Sequence, residues 1–358
     1  MSGARLDRAA PSAQRFAPFL IGRKIEGLPI IVVFIALIAV FTAFAPRVFL
    51  RWPIYDSFLV TIPPLLIISL GLTLVIAAGE IDLSFPAVVQ FSGFLFAFCS
   101  LKLGSPWLGL IAALAGGALV GYVNGILVAF VGIPSIIITI GTSFFWSGVA
   151  TVLCGGLSFA LPELQNTAIA NIFAGKLFGI PAEAFWALGV AVLGWFILNR
   201  HRFGEHLLFI GDSQSVAEVL GINVARERVK LFIMMGVLTG FASFILTIQN
   251  FNYFATQGQG MLLDALAGVF IGGSSVFGGS ATIVGSVFGA LIIGMLEAGI
   301  VATGVAGFWV EVIVGLVFVV AVVLHIAIEN PARVAEFRRR LTVRSLRADD
   351  ATKEEETS

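Results

Sequence analysis

The feature that most limits the fold of this chain is a series of long apolar runs. Several of them extend for about 17 to 25 residues with few or no charged side chains, the length an α-helix needs to cross a bilayer. Hydrophobic residues make up 58% of the chain and charged residues only 12%, which excludes an ordinary water-soluble domain. Because the runs do not alternate between apolar and polar residues, they predict transmembrane helices and not the strands of a barrel.

The runs predict an all-α, polytopic transmembrane helix bundle with about ten spans. The predicted spans are 28–45, 58–79, 83–101, 107–131, 133–153, 184–198, 231–250, 261–277, 283–303 and 308–328. They divide the chain into an N-terminal tail (1–27), a transmembrane domain (28–328) that contains a polar loop (199–230), and a C-terminal tail (329–358).

The basic residues orient the predicted bundle. Of the 21 Lys and Arg residues, five lie in 1–27, five in 199–230 and seven in 329–358. The first apolar run is too long for a cleaved signal peptide, so we interpret it as a retained signal anchor. Since Lys and Arg concentrate in cytoplasmic segments, all three segments and therefore both termini are predicted to be cytoplasmic.

The sequence shows a weak internal repeat. Span 58–79 leads into Ile81-Asp82-Leu83, and span 231–250 leads through a polar connector into Leu263-Asp264-Ala265. The run that follows the second of these is interrupted by Gly272-Gly273. With five spans in each half, the pattern predicts two inverted halves with broken helices, which is typical of a transport pathway near the midplane.

Few ionisable residues lie within or next to the predicted spans: Glu80, Asp82, Asp264, Glu297 and Glu311. A charge at the bilayer centre costs about 2.5 to 3.5 kcal/mol, so these side chains are expected to face the bundle interior or a wet cavity. Two interpretations are open for the first two. They contact a transported molecule or ion, or they mark the turn between two spans, where Asp82 or Ser84 caps the next helix. For the last two, pairing by hydrogen bonds is the expected role.

The polar loop contains one predicted helix. Ser215 and Glu218 have the spacing of a capping box, and Gly221 is placed to end the helix in a left-handed turn. A helix of two turns is not stable alone in water, so it is expected to dock on the bundle or on a partner.

The chain carries no motif for an energy-yielding reaction. The glycine-rich stretch 271–280 lacks the lysine of a phosphate-binding loop, and no metal-ligand spacing or nucleophile triad is present. The chain is therefore predicted not to be an enzyme and to hold neither cofactor nor metal. Its energy would come from another chain or from an ion gradient.

Four stretches together resemble the membrane permeases of bacterial ABC importers for ribose, xylose and related sugars. They are Ile76 to Ser84, Phe203-Gly204, the segment from Ala217 to Val224, and Leu263 to Val269 followed by Ile271 to Gly279. The resemblance covers roughly residues 60–325. The chain departs from the family where Glu80 replaces a glycine, where Phe85-Pro86 replaces valine-glycine, and where Ser215-Val216 replaces the first two residues of the coupling motif.

The resemblance implies a fold like that of type II ABC importers and a set of partners. These are a cytoplasmic ABC ATPase, a periplasmic sugar-binding protein and a second permease subunit, identical or different, in the bacterial inner membrane. No nucleic-acid partner is expected. The predicted residues for ATPase coupling are Asp212, Ser215, Val216, Ala217, Glu218 and Gly221, and those for the translocation pathway are Glu80, Asp82, Gln90, Asn124, Asn250 and Asp264.

The implied function is ATP-driven import of a neutral monosaccharide or polyol, and other interpretations stay open. One is a secondary transporter driven by protons or sodium through Glu80 and Asp82. Another is a receptor or scaffold whose loop 199–230 recruits a cytosolic protein. A third, within the family, is a permease for a nucleoside or a signalling furanone.

Overall fold

A computed structural model describes residues 27–329 of the chain. The described residues form fourteen α-helices: α1 (Leu28–Phe44), α2 (Pro46–Phe49), α3 (Trp52–Ala77), α4 (Phe85–Lys102), α5 (Pro106–Ile126, continued by a π-helical turn, Leu127–Val131), α6 (Ser135–Cys154), α7 (Ala168–Ala174), α8 (Ala182–Arg200), α9 (Arg202–Asp212), α10 (Gln214–Val219), α11 (Val224–Gln249), α12 (Met261–Ile271), α13 (Ile283–Ala302) and α14 (Val310–Glu329). The predicted tails lie almost entirely outside the described residues.

Two small antiparallel sheets and two 3-10 turns complete the described part. Strand β1 (Phe159–Ala160) pairs with β4 (Asn252–Tyr253), and β2 (Lys176–Leu177) pairs with β3 (Ile180–Pro181). The 3-10 turns are Pro162–Leu164 and Gly307–Trp309. None of these strands exceeds two residues, so the fold is an all-α bundle, as predicted.

Apolar helices lie at the positions of the predicted spans and in the predicted order. Seven helices are long and apolar enough to cross a membrane, namely α3 to α6, α8, α11 and α13. Three shorter apolar helices lie at the remaining predicted positions, at Leu28–Phe44, Met261–Ile271 and Gly307–Val320. The prediction of a polytopic helix bundle is therefore confirmed, whereas the relation between two inverted halves stays a prediction.

Two of the predicted boundaries are wrong in the same direction. Helix α3 begins at Trp52, six residues before the predicted span, and α11 begins at Val224, seven residues before its span. Both helices have 26 residues, and their first turns include charged side chains, Asp56 in α3 and Arg226 to Arg228 in α11. Hydropathy marks the part of a helix that lies in hydrocarbon, and it does not mark where the backbone hydrogen bonding starts.

Helix α3 lies at the centre of the bundle. Its second half, from Ile67 to Ala77, is buried throughout and contacts α8, α11, α12 and α13. Thr73 is fully buried there and donates a hydrogen bond of 2.7 Å from Oγ1 to Ser286 Oγ of α13. Such interhelical bonds and close packing replace the hydrophobic drive that lipid cannot supply.

A stripe of glycines on α5 is the packing surface for α11. A Cβ placed on Gly117 would lie 2.1 Å from the carbonyl oxygen of Gly236, and one on Gly121 would lie 2.1 Å from that of Phe232. The two backbones thus touch along several turns, which only residues without a side chain permit. This packing fixes α11, whose first turn carries part of the site described next.

Candidate translocation pathway and coupling surface

A break between α3 and α4 forms the first part of the site. We call residues 78–84 the α3–α4 junction. The turn begins at Gly79, which has a φ of 74°, a value that suits glycine. The N–H of Gly279 donates a 3.0 Å hydrogen bond to the carbonyl oxygen of Ala77, so the glycine-rich loop after α12 closes on the end of α3. Helix α9 reaches the same place through Gly211.

Glu80 in this junction forms an ion pair with Arg228 in the first turns of α11. The atoms in contact are Glu80 Oε1 and Arg228 Nε, and only 8% and 20% of the two side chains are exposed. Arg228 also donates a 3.0 Å hydrogen bond from Nη2 to Gln214 Oε1 of α10. The predicted pathway residue Glu80 is thus joined to the predicted coupling helix through one arginine.

Asp82 and Asn124, two further predicted pathway residues, are brought together by Ser84. Asp82 Oδ1 accepts hydrogen bonds from the N–H of Ser84 at 2.8 Å and from its Oγ at 2.6 Å. Asn124 Nδ2 of α5 donates to the same Oγ at 2.8 Å. Ser84 occupies the N-cap position of α4, but its side chain makes no capping bond to the helix, and its oxygen accepts from Asn124 of α5 instead. Asp82 instead orders the turn in front of α4, and the predicted cap by Ser84 is wrong.

Helix α6 holds the other side of the junction. The N–H of Ile81 donates to Ser135 Oγ at 3.1 Å, and Thr139 Oγ1 donates to the carbonyl oxygen of Ile81 at 3.4 Å. The junction is therefore hydrogen-bonded to α5 and α6 and ion-paired with α11, and the loop after α12 bonds to Ala77 directly before it.

Gln90 lies in the second turn of α4 and links this helix to α6. Its Nε2 donates to Thr151 Oγ1 at 3.0 Å and to the carbonyl oxygen of Ala255 at 2.8 Å, and its Oε1 accepts from Ser147 Oγ at 2.7 Å. With all these bonds made and only 4% of the residue exposed, Gln90 ties helices together in this conformation.

Asn250 and Asp264 line one cavity at the end of α11 remote from α10. The cavity has a volume of about 350 Å³, and its wall also includes Glu297 of α13. A second cavity of about 540 Å³ lies beyond Asp264 and Glu297 and is lined in addition by Glu311. Two carboxyl groups thus lie between two cavities. The six predicted pathway residues fall into one group at the junction, one group at this cavity, and Gln90 on α4.

The predicted loop 199–230 consists mainly of helices. It contains α9, α10 and the first turns of α11, and the sequence pattern missed α9. The capping box is also wrong. Helix α10 starts at Gln214 after Ser213, and Ser215 lies within the helix, where its Oγ is 3.1 Å from Ser213 Oγ. Glu218 accepts a 2.9 Å bond from Gln214 Nε2 and does not reach back to the cap.

The six predicted coupling residues divide into buried and exposed positions. Ala217 is fully buried and packs with Ile210 and Val224. Val216, in contrast, is 52% exposed, and the neighbouring Val219 and Leu220 are 88% and 59% exposed. The remaining predicted residues are exposed: Asp212, Ser215, Glu218 and Gly221. Gly221 has a φ of 80° and ends the helix as predicted. Helix α10 therefore packs on the bundle through Ala217 and presents apolar side chains outward.

Sequence reasoning missed Arg228 and Glu297 as site residues. Arg228 was counted only as one of the basic residues of the loop, since its partner is distant in the sequence. Glu297 was assigned to pairing, and the structure places it in the wall of the same cavity as Asp264.

Comparison with known proteins agrees with the resemblance drawn from the motifs. The family model described as branched-chain amino acid transport system / permease component matches residues 54–322. The fructose import permease of Rhizobium meliloti is 32% identical over 272 residues, which cover 72% of this chain and 73% of that protein. The ribose import permease of Escherichia coli K12 is 30% identical, over 72% of this chain and 81% of that protein.

A further relative differs in what its name says it imports. The autoinducer 2 import system permease of Photorhabdus laumondii is 32% identical, over 72% of this chain and 78% of that protein. No solved structure matches the chain. The family match over most of the bundle and the identity to import permeases over nearly three quarters of the chain show that this multi-pass membrane protein belongs to the permease family of these ABC importers.

Proposed function

We propose that the chain is the translocation subunit of an ATP-driven importer that moves a neutral monosaccharide or related polyol. The observation that carries the proposal is the surface of α10. Val216 and Val219 of this six-residue helix are exposed, as is Leu220 directly after it, while the inner face packs on the bundle through Ala217. Exposed apolar side chains on a short helix outside the membrane spans are typical of a surface that docks a partner.

The proposed partners follow from the family. A cytoplasmic ABC ATPase docks on α10, a periplasmic sugar-binding protein docks at the opposite end, and a second permease subunit completes the pair. The end of the bundle with α10 is then cytoplasmic, together with both termini, in the bacterial inner membrane. The chain itself hydrolyses no ATP, so the energy is delivered mechanically.

The contacts of α10 suggest how this energy is used. Helix α10 bonds to α11, and α11 packs along α5 and on α3 and α4. A push on α10 is transmitted to these helices as a rigid-body movement that opens one end of the pathway while the other closes. Gln90, which bonds α4 to α6, and the junction around Asp82 are the connections that must rearrange.

The polar side chains of the cavity suit a neutral cargo rich in hydroxyl groups. Asn250, Asp264 and Glu297 offer hydrogen-bond acceptors and a donor in a wall that also contains threonine, glutamine and apolar side chains. Relatives named for ribose, allose, fructose and autoinducer 2 show the range of cargo to test.

Reconstitution of the chain with its ATPase and binding protein in liposomes tests the proposal. Radiolabelled ribose, allose and fructose are offered in turn, with and without enclosed ATP. The expected result is uptake of one of them only with ATP. Uptake by the chain alone under a proton or sodium gradient, without ATP, supports the secondary transporter instead and overturns the proposal.

A single substitution on α10 tests the docking surface. Val219→Glu places a charge on the most exposed apolar side chain of the helix, and we expect it to abolish copurification of the ATPase while leaving the chain folded. The matched control is Phe178→Glu, because Phe178 is 93% exposed in the turn between β2 and β3 at the opposite end. Val219 is a better probe than Ala217, because a charge at a fully buried Ala217 displaces α10 from the bundle.

A further inference from the structure

Arg228 occupies a position between the coupling helix and the pathway. Its guanidinium group bonds to Gln214 of α10 on one side and pairs with Glu80 of the α3–α4 junction on the other. Among residues 27–329, the bond to Gln214 is the one side-chain hydrogen bond from α10 to α11. The orientation of α10 on the bundle therefore depends on Arg228 and on the packing of Ala217.

The ion pair is sheltered from solvent. With 8% of the Glu80 side chain and 20% of the Arg228 side chain exposed, salt and water screen the attraction less than they screen a surface pair. A buried carboxylate that loses its partner keeps the cost of its desolvation, so the pair resists separation. If α10 moves, Glu80 is therefore expected to follow Arg228.

The other bonds of the junction extend this connection into the bundle. Ile81 follows Glu80 directly and is bonded to Ser135 and Thr139 of α6. Asp82, one residue further, is bonded to Ser84, which Asn124 of α5 contacts. A displacement of Glu80 must strain or rearrange these bonds, because residues 80–82 are consecutive in one short segment.

We propose that Gln214, Arg228 and Glu80 form a positioning relay that couples the place of α10 to the conformation of the α3–α4 junction. The transmission of movement through this relay rests on the proposed function, since the ATPase supplies the force. The relay itself is a property of this chain.

Distance measurements on the full chain in lipid nanodiscs test the relay. Spin labels are attached after Val219→Cys on α10 and Ile136→Cys at the start of α6, in a background with Cys99→Ala and Cys154→Ala. Both labelled positions are exposed. We expect one narrow distance distribution in the parent protein and a broad one after Glu80→Gln, Arg228→Gln or Gln214→Ala. The charge exchange Glu80→Arg with Arg228→Glu should restore the narrow distribution.

Two features make this experiment decisive. Arg226→Gln is the matched control, because Arg226 is exposed two residues before Arg228 and its loss should change nothing. Gln214 is also exposed, so Gln214→Ala leaves the fold intact, and a distribution that stays narrow in this variant overturns the relay. Equal broadening by Arg226→Gln also overturns it.

A second measurement tests the transmission in the assembled importer. For Glu80→Gln we expect the number of sugar molecules imported per ATP hydrolysed to fall about fivefold or more, while binding-protein affinity is unchanged and the charge exchange restores the ratio. A ratio that does not change overturns the transmission. The spin-label experiment needs neither ATPase nor sugar, so a failed relay and a failed importer assignment give different results.

Discussion

Gly211 of α9 and Ala77 of α3 touch backbone to backbone. A Cβ on Gly211 would stand 2.1 Å from the carbonyl oxygen of Ala77 and 2.5 Å from the backbone nitrogen of Gly279. That nitrogen is the one that donates to the Ala77 oxygen, so three segments meet at a single hydrogen bond. The helix that precedes the coupling helix, the centre of the bundle and the loop after α12 are therefore held in one place without any side chain.

This contact predicts a strong effect of a single methyl group. Gly211→Ala should destabilise the protein by about 3 kcal/mol, because backbone atoms on two sides cannot move away from the new Cβ. Gly189→Ala is the matched control, since Gly189 lies within α8 and a Cβ there meets no atom within 4 Å. Thermal unfolding of both variants in detergent gives the comparison. Equal midpoints for the two would contradict the close contact.

The ion pair of Glu80 and Arg228 predicts a non-additive pair of substitutions. Arg228→Met alone should cost about 3 kcal/mol, because it leaves the buried Glu80 carboxylate without a partner. Glu80→Leu together with Arg228→Met should cost much less, about 1 kcal/mol or under, since no unpaired charge remains. The unfolding midpoints of the two single variants and the double variant complete a double-mutant cycle. Additive losses would argue against a direct interaction.

A substitution in the cavity between α3, α11, α12 and α13 should reduce transport without preventing assembly of the complex. Asp264→Asn should reduce uptake about tenfold if its carboxylate accepts bonds from cargo hydroxyls, an effect of about 1.4 kcal/mol. Asp56→Asn is the control, because Asp56 is an acidic residue outside this cavity that pairs with Lys176. Initial uptake rates are compared at equal amounts of assembled complex. Normal uptake by Asp264→Asn would remove this residue from the pathway.

Two residues, Arg228 and Ser84, show where sequence patterns lose information. Arg228 is one of five basic residues in the segment 199–230, which hydropathy assigns to a loop. The amino-acid composition of the first turns of α11 does not distinguish them from the rest of that loop. Only the packing of α11 along α5, through Gly117 and Gly121, brings its guanidinium group to Glu80. The same holds for Ser84, whose role depends on Asn124 of α5.

The all-α bundle and the order of its apolar helices followed from the sequence alone, because the length of an apolar run is a local property that the thickness of the bilayer translates directly into a span. The end of α10 at Gly221 and the interruption of the chain after Ile271 were local in the same way, since glycine permits backbone conformations that other residues avoid. Tertiary structure decided which face of α10 is buried, which charge Glu80 pairs with, and that Asp264 and Glu297 line one cavity. These contacts join residues far apart in the chain, and their energies depend on helices packed within a few ångströms of one another, which no local pattern encodes.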